Sequence, residues 1–170
     1  MQKNLLLVLT IILLVSCKDK ASKKEILLDS SGNINNVSVV LDNELWDGSV
    51  GDAIRSVLAA PIYGLPQDEP LFTISQIPPS VFTGFVTKNR TVLKIEVSNN
   101  SDIQILDNVY AQPQKVVVIS GKSRQDIIDR IVENAPKIVT TFRNEEIAER
   151  QRQMSKSPHK YKSIEKKLGL

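Results

Sequence analysis

The stretch Lys115–Phe142, KVVVISGKSRQDIIDRIVENAPKIVTTF, decides the fold. Val116-Val117-Val118-Ile119 is apolar on both faces, so this strand is expected to be the most buried of a sheet. Ser123 then opens a helix. A serine accepts a hydrogen bond from an N–H of the first turn, and Asp126 stands three residues on, the spacing of a capping box. Ile127, Ile131, Ala135, Ile138 and Phe142 fall on one helical stripe, thickened by Ile128, Val132 and Val139. Pro136 lies inside that stripe, where its missing N–H kinks a helix or splits it, and the split piece would start with Pro136 in its first turn. After Phe142 the stripe thins. Residues 143–170 hold eight Lys or Arg against four Glu. The pairs Glu146–Arg150 and Glu149–Arg152 suit a helix, so a solvated extension to about Met154 is expected, broken by Ser155–His159.

Upstream, Val37–Leu41 is β-branched and partly alternating, which suits a strand. Ser49 and Asp52 repeat the capping-box spacing. Val50, Ile54, Val57 and Leu58 then make one helical face, closed by Pro61. Pro61–Pro70 reads as a loop and Leu71–Ile77 as a strand ended by Pro78-Pro79. Thr91–Val97 alternates, with Leu93, Ile95 and Val97 on one side and Lys94 and Glu96 on the other. Asn99–Asp102 is a turn cluster. Ile103–Leu106 and Val109–Gln112 follow as short strands before Lys115. Strand, helix, several turn-linked strands and helix is the order of an α+β fold: a largely antiparallel sheet of about five strands with two helices packed on it.

The amino terminus gives an address. Lys3 precedes an apolar run, Leu5–Val15, which is too short to span a bilayer comfortably, since a helix needs about 20 apolar residues. It ends in Leu14-Val15-Ser16-Cys17, which resembles the bacterial lipobox, in which the chain is cut before a lipidated cysteine. The expected organisation is a signal peptide over 1–16, a polar tether over 17–32, an α+β domain over 33–154 and a basic tail over 155–170. Lys18-Asp19 resembles the start of a surface-export signal, which Lys20 then breaks. Cys17 is the only cysteine, so neither an internal disulfide nor a thiolate metal site is possible.

The charge is close to balanced. The chain has 22 Lys and Arg against 19 Asp and Glu. Removing the signal takes Lys3 alone and leaves 21 against 19, too weak a basic footprint for a nucleic-acid binder. His159 is the only histidine, and it lies in the basic tail without a rigid frame, which excludes Ser-His and Cys-His chemistry. A zinc site would need carboxylates almost alone, a poor match to that metal. Asp68 and Glu69 are adjacent and so diverge, whereas a carboxylate hydrolase wants two carboxyls facing across a cleft. Asp42, Glu44 and Asp47 match no calcium loop. No metal and no cofactor is expected. Trp46 either caps the sheet beside the first helix or stacks on a sugar or partner from a loop. With Tyr63, Asp68 and Glu69 it forms the candidate binding surface, and Cys17 is the lipidation site.

Asn43–Gly48 (NELWDG), Gly51–Pro61 (GDAIRSVLAAP), Gly64–Phe72 (GLPQDEPLF), Pro78–Phe85 (PPSVFTGF) and Asn89–Val97 (NRTVLKIEV) resemble an uncharacterised lipoprotein family of Bacteroidota, classed as a domain of unknown function. The resemblance runs from about Ser31 to the end and implies an envelope lipoprotein of bacterial source. It supplies no catalytic residue. Members of that family continue well past Leu170, so the resemblance implies that this chain holds their first half, which would leave a sheet or helix face uncovered.

Together these readings give a lipid-anchored protein of the bacterial cell envelope, on the outer membrane, attached through Cys17. It would be a non-enzymatic binding or assembly component whose partner is an envelope protein or glycan. The alternatives are a binder of small molecules or glycans, and a carboxylate-based hydrolase.

Overall fold

The computed structural model describes residues 26–156 and 166–168. The signal peptide, Cys17, most of the tether, His159 and most of the basic tail lie outside the described residues. Five strands form one sheet: β1 (Asn36–Val40), β2 (Thr73–Ile77), β3 (Thr91–Val97), β4 (Asp102–Asp107) and β5 (Lys115–Gly121). The helices are α1 (Asn43–Trp46), α2 (Ser49–Leu58), α3 (Arg124–Glu133) and α4 (Ala135–Ser155). Two short 3-10 turns, Pro79–Val81 and Gly84–Lys88, lie between β2 and β3.

The strand order is β2-β1-β3-β5-β4. β1 runs parallel to both β2 and β3, β3 runs parallel to β5, and only β4 is antiparallel, against β5. The sheet is therefore mostly parallel, which corrects the expected antiparallel arrangement. Parallel neighbours need a crossover of a dozen or so residues. Pro78–Arg90 carries the chain from β2 past β1 to β3, which runs parallel to it, where turn-linked antiparallel strands were expected. β5 then inserts between β3 and β4, because a strand apolar on both faces belongs in the sheet interior. Val109–Gln112 is not a strand. It belongs to the loop joining β4 to β5, and of its four residues Ala111 alone is buried.

Among the described residues three helices of two turns or more are present rather than two. Pro136 sits in the first turn of α4 and so divides the long stripe into α3 and α4. Ser123 caps α3 by accepting the Asp126 N–H at 3.2 Å. Asp126 reaches back to the Lys122 N–H at 2.9 Å, one residue earlier than the capping box anticipates. At α2 the cap is Gly48, and Ser49 is the first helical residue.

The two crossovers cover opposite faces of the sheet. Val37, Val39 and Leu41 of β1 and its end join Leu93, Ile95, Val117 and Ile119 in the main core, against Ile54 of α2, Ile127 and Ile131 of α3 and Phe142 of α4. Val40, Val92 and Val116 face the other way and meet Phe82 from the β2–β3 crossover. Phe72 closes the main core edge-on against Phe142, with centroids 6.3 Å apart. Gly51 is required where α2 passes α1, since a Cβ there would stand 1.9 Å from the Trp46 carbonyl oxygen.

Candidate functional site

Because four strands are parallel, the molecule has two distinct poles. At the carboxyl ends of the strands, the segments after β1, β2, β3 and β5 frame a crevice of about 730 Å³. Asp42, Asn43, Glu44 and Leu45 follow β1, Pro78 and Ser80 follow β2, Val97 ends β3, and Ser123 and Arg124 open α3. The chain leaves β1 towards β2 on one side and leaves β3 towards β4 and β5 on the other. Open α/β sheets bind ligands in such crevices, outside the carboxyl ends of strands whose connections diverge. Glu44 and Arg124 form an ion pair across this one. Gln76 ties the wall together by donating to the Asn43 side chain at 2.9 Å and to the Leu41 carbonyl at 2.8 Å.

Beneath Arg124, Asp126 accepts from the Ser101 hydroxyl and the Lys122 N–H. These bonds hold its carboxyl below the ordinary aspartate range, the Ser101 bond acting most strongly. The polar groups lining the crevice are carboxylate, amide, hydroxyl and guanidinium, which suit hydrogen-bonded recognition, beside apolar Leu45, Pro78 and Val97. Among the described residues no group of three His, Cys, Asp or Glu is placed to hold a metal ion, and no helix is long and apolar enough to cross a membrane.

The four residues expected to form one surface are divided. Trp46 is half-buried and packs against the main core. Arg55 stacks over its ring, 4.7 Å from the centroid, and donates to its carbonyl at 3.2 Å. Trp46 thus caps the sheet beside α2. Tyr63 lies past the other end of α2, about 15 Å away for a ten-residue helix. It is 102% exposed. Asp68 and Glu69 share its loop, which is exposed from Pro61 to Pro70. Cys17 lies outside the described residues.

The amino-terminal pole holds a charged network that the sequence reading placed in solvent. Glu146 of α4 is buried. It accepts from Arg90 Nε and Nη2 at 3.2 Å each, from the Asn35 N–H at 2.7 Å and from the Thr91 hydroxyl at 3.4 Å. Arg90 also donates to the Asn33 carbonyl at 3.0 Å. Asn35 enters β1 with φ of 57°, a conformation asparagine tolerates. Arg152 continues the network to Glu145 at 2.7 Å and Glu149 at 2.8 Å. For Glu149, burial raises the pKa, but hydrogen bonds from Arg152 and Gln153 outweigh it and the carboxyl sits below its usual range. For Arg152, burial acts downward and the two carboxylates outweigh it. The donors and acceptors satisfy one another, so the network is a clamp that fixes α4 to the starts of β1 and β3.

No curated protein and no solved structure matches the chain. A family model does, over residues 30–155, from the segment before β1 to the end of α4. The chain belongs to the family described as Domain of unknown function (DUF8532).

Proposed function

We propose that this chain is a lipid-anchored protein of the bacterial cell envelope, of Bacteroidota origin, that works by binding rather than catalysis. Residues 1–16 are its signal peptide, Cys17 carries the lipid, and the crevice at the carboxyl ends of the strands receives an envelope partner. The observation that carries the binding role is the crevice itself. It is concave, it stands at the diverging point of a parallel sheet, and it is lined by Asp42, Asn43, Glu44, Ser80, Ser123 and Arg124. Glu44 and Arg124 are engaged with each other, an arrangement that suits recognition more than activation of a nucleophile. A glycan is the second reading. Paired carboxylate, amide and hydroxyl groups in a cleft of that volume suit sugar hydroxyls.

The lipobox supports the anchor, and a multiply acylated cysteine holds a protein to a bilayer with negligible release. Two experiments test the reading. Cys17→Ala abolishes labelling by a palmitate analogue, and persistent labelling overturns the lipoprotein assignment. A photo-crosslinking residue in place of Ser80, activated in intact envelopes, captures a protein or glycan, and Arg124→Glu removes that capture. Failure to capture either one at normal protein abundance overturns the binding role of the crevice.

A further inference from the structure

The amino-terminal pole carries a surface away from the crevice, bordered by the clamp residues Asn35 and Glu146. The loop between α2 and β2 is closed at its neck by two backbone bonds, Ile62 N–H to the Glu69 carbonyl at 2.8 Å and Leu71 N–H to the Ala60 carbonyl at 2.9 Å. The residues between stand out as a held lobe, with Ile62, Tyr63 and Leu65 turned to solvent. Beside the lobe, Ile62 and the exposed Ile147 of α4 border a cleft of about 210 Å³ against Leu71 and Phe72. Arg143 and Arg150 flank Ile147 one helical turn to either side and line the same cleft. Among the described residues, neither arginine is in an ion pair.

Strand polarity sets this lobe at the pole where the chain arrives from Cys17. β1 and β2 both start here, at Asn36 and Thr73, and pair in register. Asn35, the residue before β1, is bonded to Glu146, one position from Ile147. From Cys17 to Ile26 there are nine residues. Fully extended these reach roughly 30 Å, and as a flexible coil about 16 Å.

We propose that this pole is a membrane-docking face, seated on the bilayer that holds the lipid anchor. The proposal rests on the lipid-anchored reading. Ile62, Tyr63, Leu65 and Ile147 enter the interfacial layer, where tyrosine is at home with its ring in the apolar zone and its hydroxyl among headgroups. Arg143 and Arg150 take headgroup phosphates, which guanidinium groups bind through paired hydrogen bonds. Asp68 and Glu69 lie on the returning limb of the lobe and offset the two arginines. The face is therefore apolar with balanced charge, and it docks on zwitterionic and anionic bilayers alike. The short tether supplies a high effective concentration, so weak contacts suffice.

The test uses the full chain, acylated at Cys17 and reconstituted in vesicles of phosphatidylethanolamine and phosphatidylglycerol. Acylation consumes the only natural thiol, so Gln67→Cys places a single fluorophore on the lobe, and Asn99→Cys places one between β3 and β4 at the far pole. Nitroxide-labelled lipid should quench the Gln67 position several-fold more than the Asn99 position. Arg143→Glu with Arg150→Glu should weaken that quenching without lowering the melting temperature. Equal quenching at both positions, or a lobe fluorophore that stays in water, overturns the proposal. Flotation separates the two readings: a floating chain with an unquenched lobe overturns docking alone, whereas a chain that does not float overturns the anchor and the docking with it. Shielding of the lobe in intact envelopes but not in protein-free vesicles overturns it in favour of a protein partner.

Discussion

Glu146→Ala tests whether α4 is held by the buried clamp. The Arg90 and Glu146 side chains are 4% and 2% exposed. Removing the carboxylate leaves the Arg90 guanidinium buried, with Glu149 at 4.0 Å as its remaining countercharge. Breaking a buried pair from one side costs about 3–5 kcal/mol. It also strips the half-buried Asn35 N–H of its acceptor, which adds less than the roughly 1–3 kcal/mol of a fully buried orphaned donor. The two costs overlap, because both are relieved by the same inflow of water, so a loss of about 4 kcal/mol is expected. That is a large share of the roughly 5–15 kcal/mol that stabilises a domain. It corresponds to a fall in Tm on the order of 12–20 °C for a domain of this size. Urea unfolding followed by circular dichroism at pH 7 measures it. Glu146→Gln separates charge from shape. Its oxygen still serves Asn35 while its amide meets the guanidinium donors, so it falls between parent and alanine variant. Arg90→Met with Glu146→Leu removes both charges and recovers part of the loss, though the Asn35 N–H stays orphaned. A Glu146→Ala variant within about 1 kcal/mol of the parent would refute the clamp.

Three further outcomes follow from the packing and the electrostatics. Ile131→Asp places an unpaired charge at a position 1% exposed in the last turn of α3, at a cost of several kcal/mol. Native circular dichroism should be lost, and a melting temperature equal to the parent's would sink the helix assignment. Gly51→Ala drives a Cβ into the Trp46 carbonyl, a backbone atom that cannot step aside, and costs roughly 1–3 kcal/mol or more. Gly64→Ala meets open space and suffers only from its φ of +90°, so it should be the milder of the two in thermal melts. Ser101→Ala removes the strongest bond holding the Asp126 carboxyl low, and a carboxyl NMR titration should show that group moving up towards its ordinary range. The sign is that of a depressed acid. The Asp126 contribution to stability is present above the unfolded-state pKa and is lost as pH falls through the folded one. The variant should therefore show less acid-dependent loss than the parent.

Local elements were readable because they depend on neighbours in sequence. The 3.6-residue stripe located α2 and α3, and Pro136 located the break before α4, since its ring and missing N–H act within one turn. Alternation located β3. Strand direction was not readable from spacing, because a turn-rich segment such as Pro78–Arg90 can reverse the chain or carry it across a strand. The composition of β5 did contain the answer. Val116–Ile119 is apolar on both faces, the mark of a strand in a parallel sheet, and its neighbour β3 is likewise buried along most of its length. The error lay in reading that run as buried without asking what buries both faces of a strand.

The same error hid both sites. Asp42, Pro78, Val97 and Arg124 are far apart in sequence, and only parallel strands deliver all four to one pole. An antiparallel sheet would scatter them between two ends, so no crevice could be anticipated from it. The clamp was missed for a different reason. Continued past Phe142, the stripe falls on Glu145, Glu146 and Glu149, one and two turns on, and the charges were taken as the point where burial ends. A long helix that packs by its stripe does not turn away from the core within one turn. A carboxylate at the next stripe position therefore implies a buried cation opposite it, because an unpaired buried charge costs several kcal/mol. Arg90, directly before a buried strand, was the candidate. The charge that was read as solvent exposure is what joins α4 to the pole where the chain arrives, and it fixes Arg143, Ile147 and Arg150 beside the 61–70 lobe.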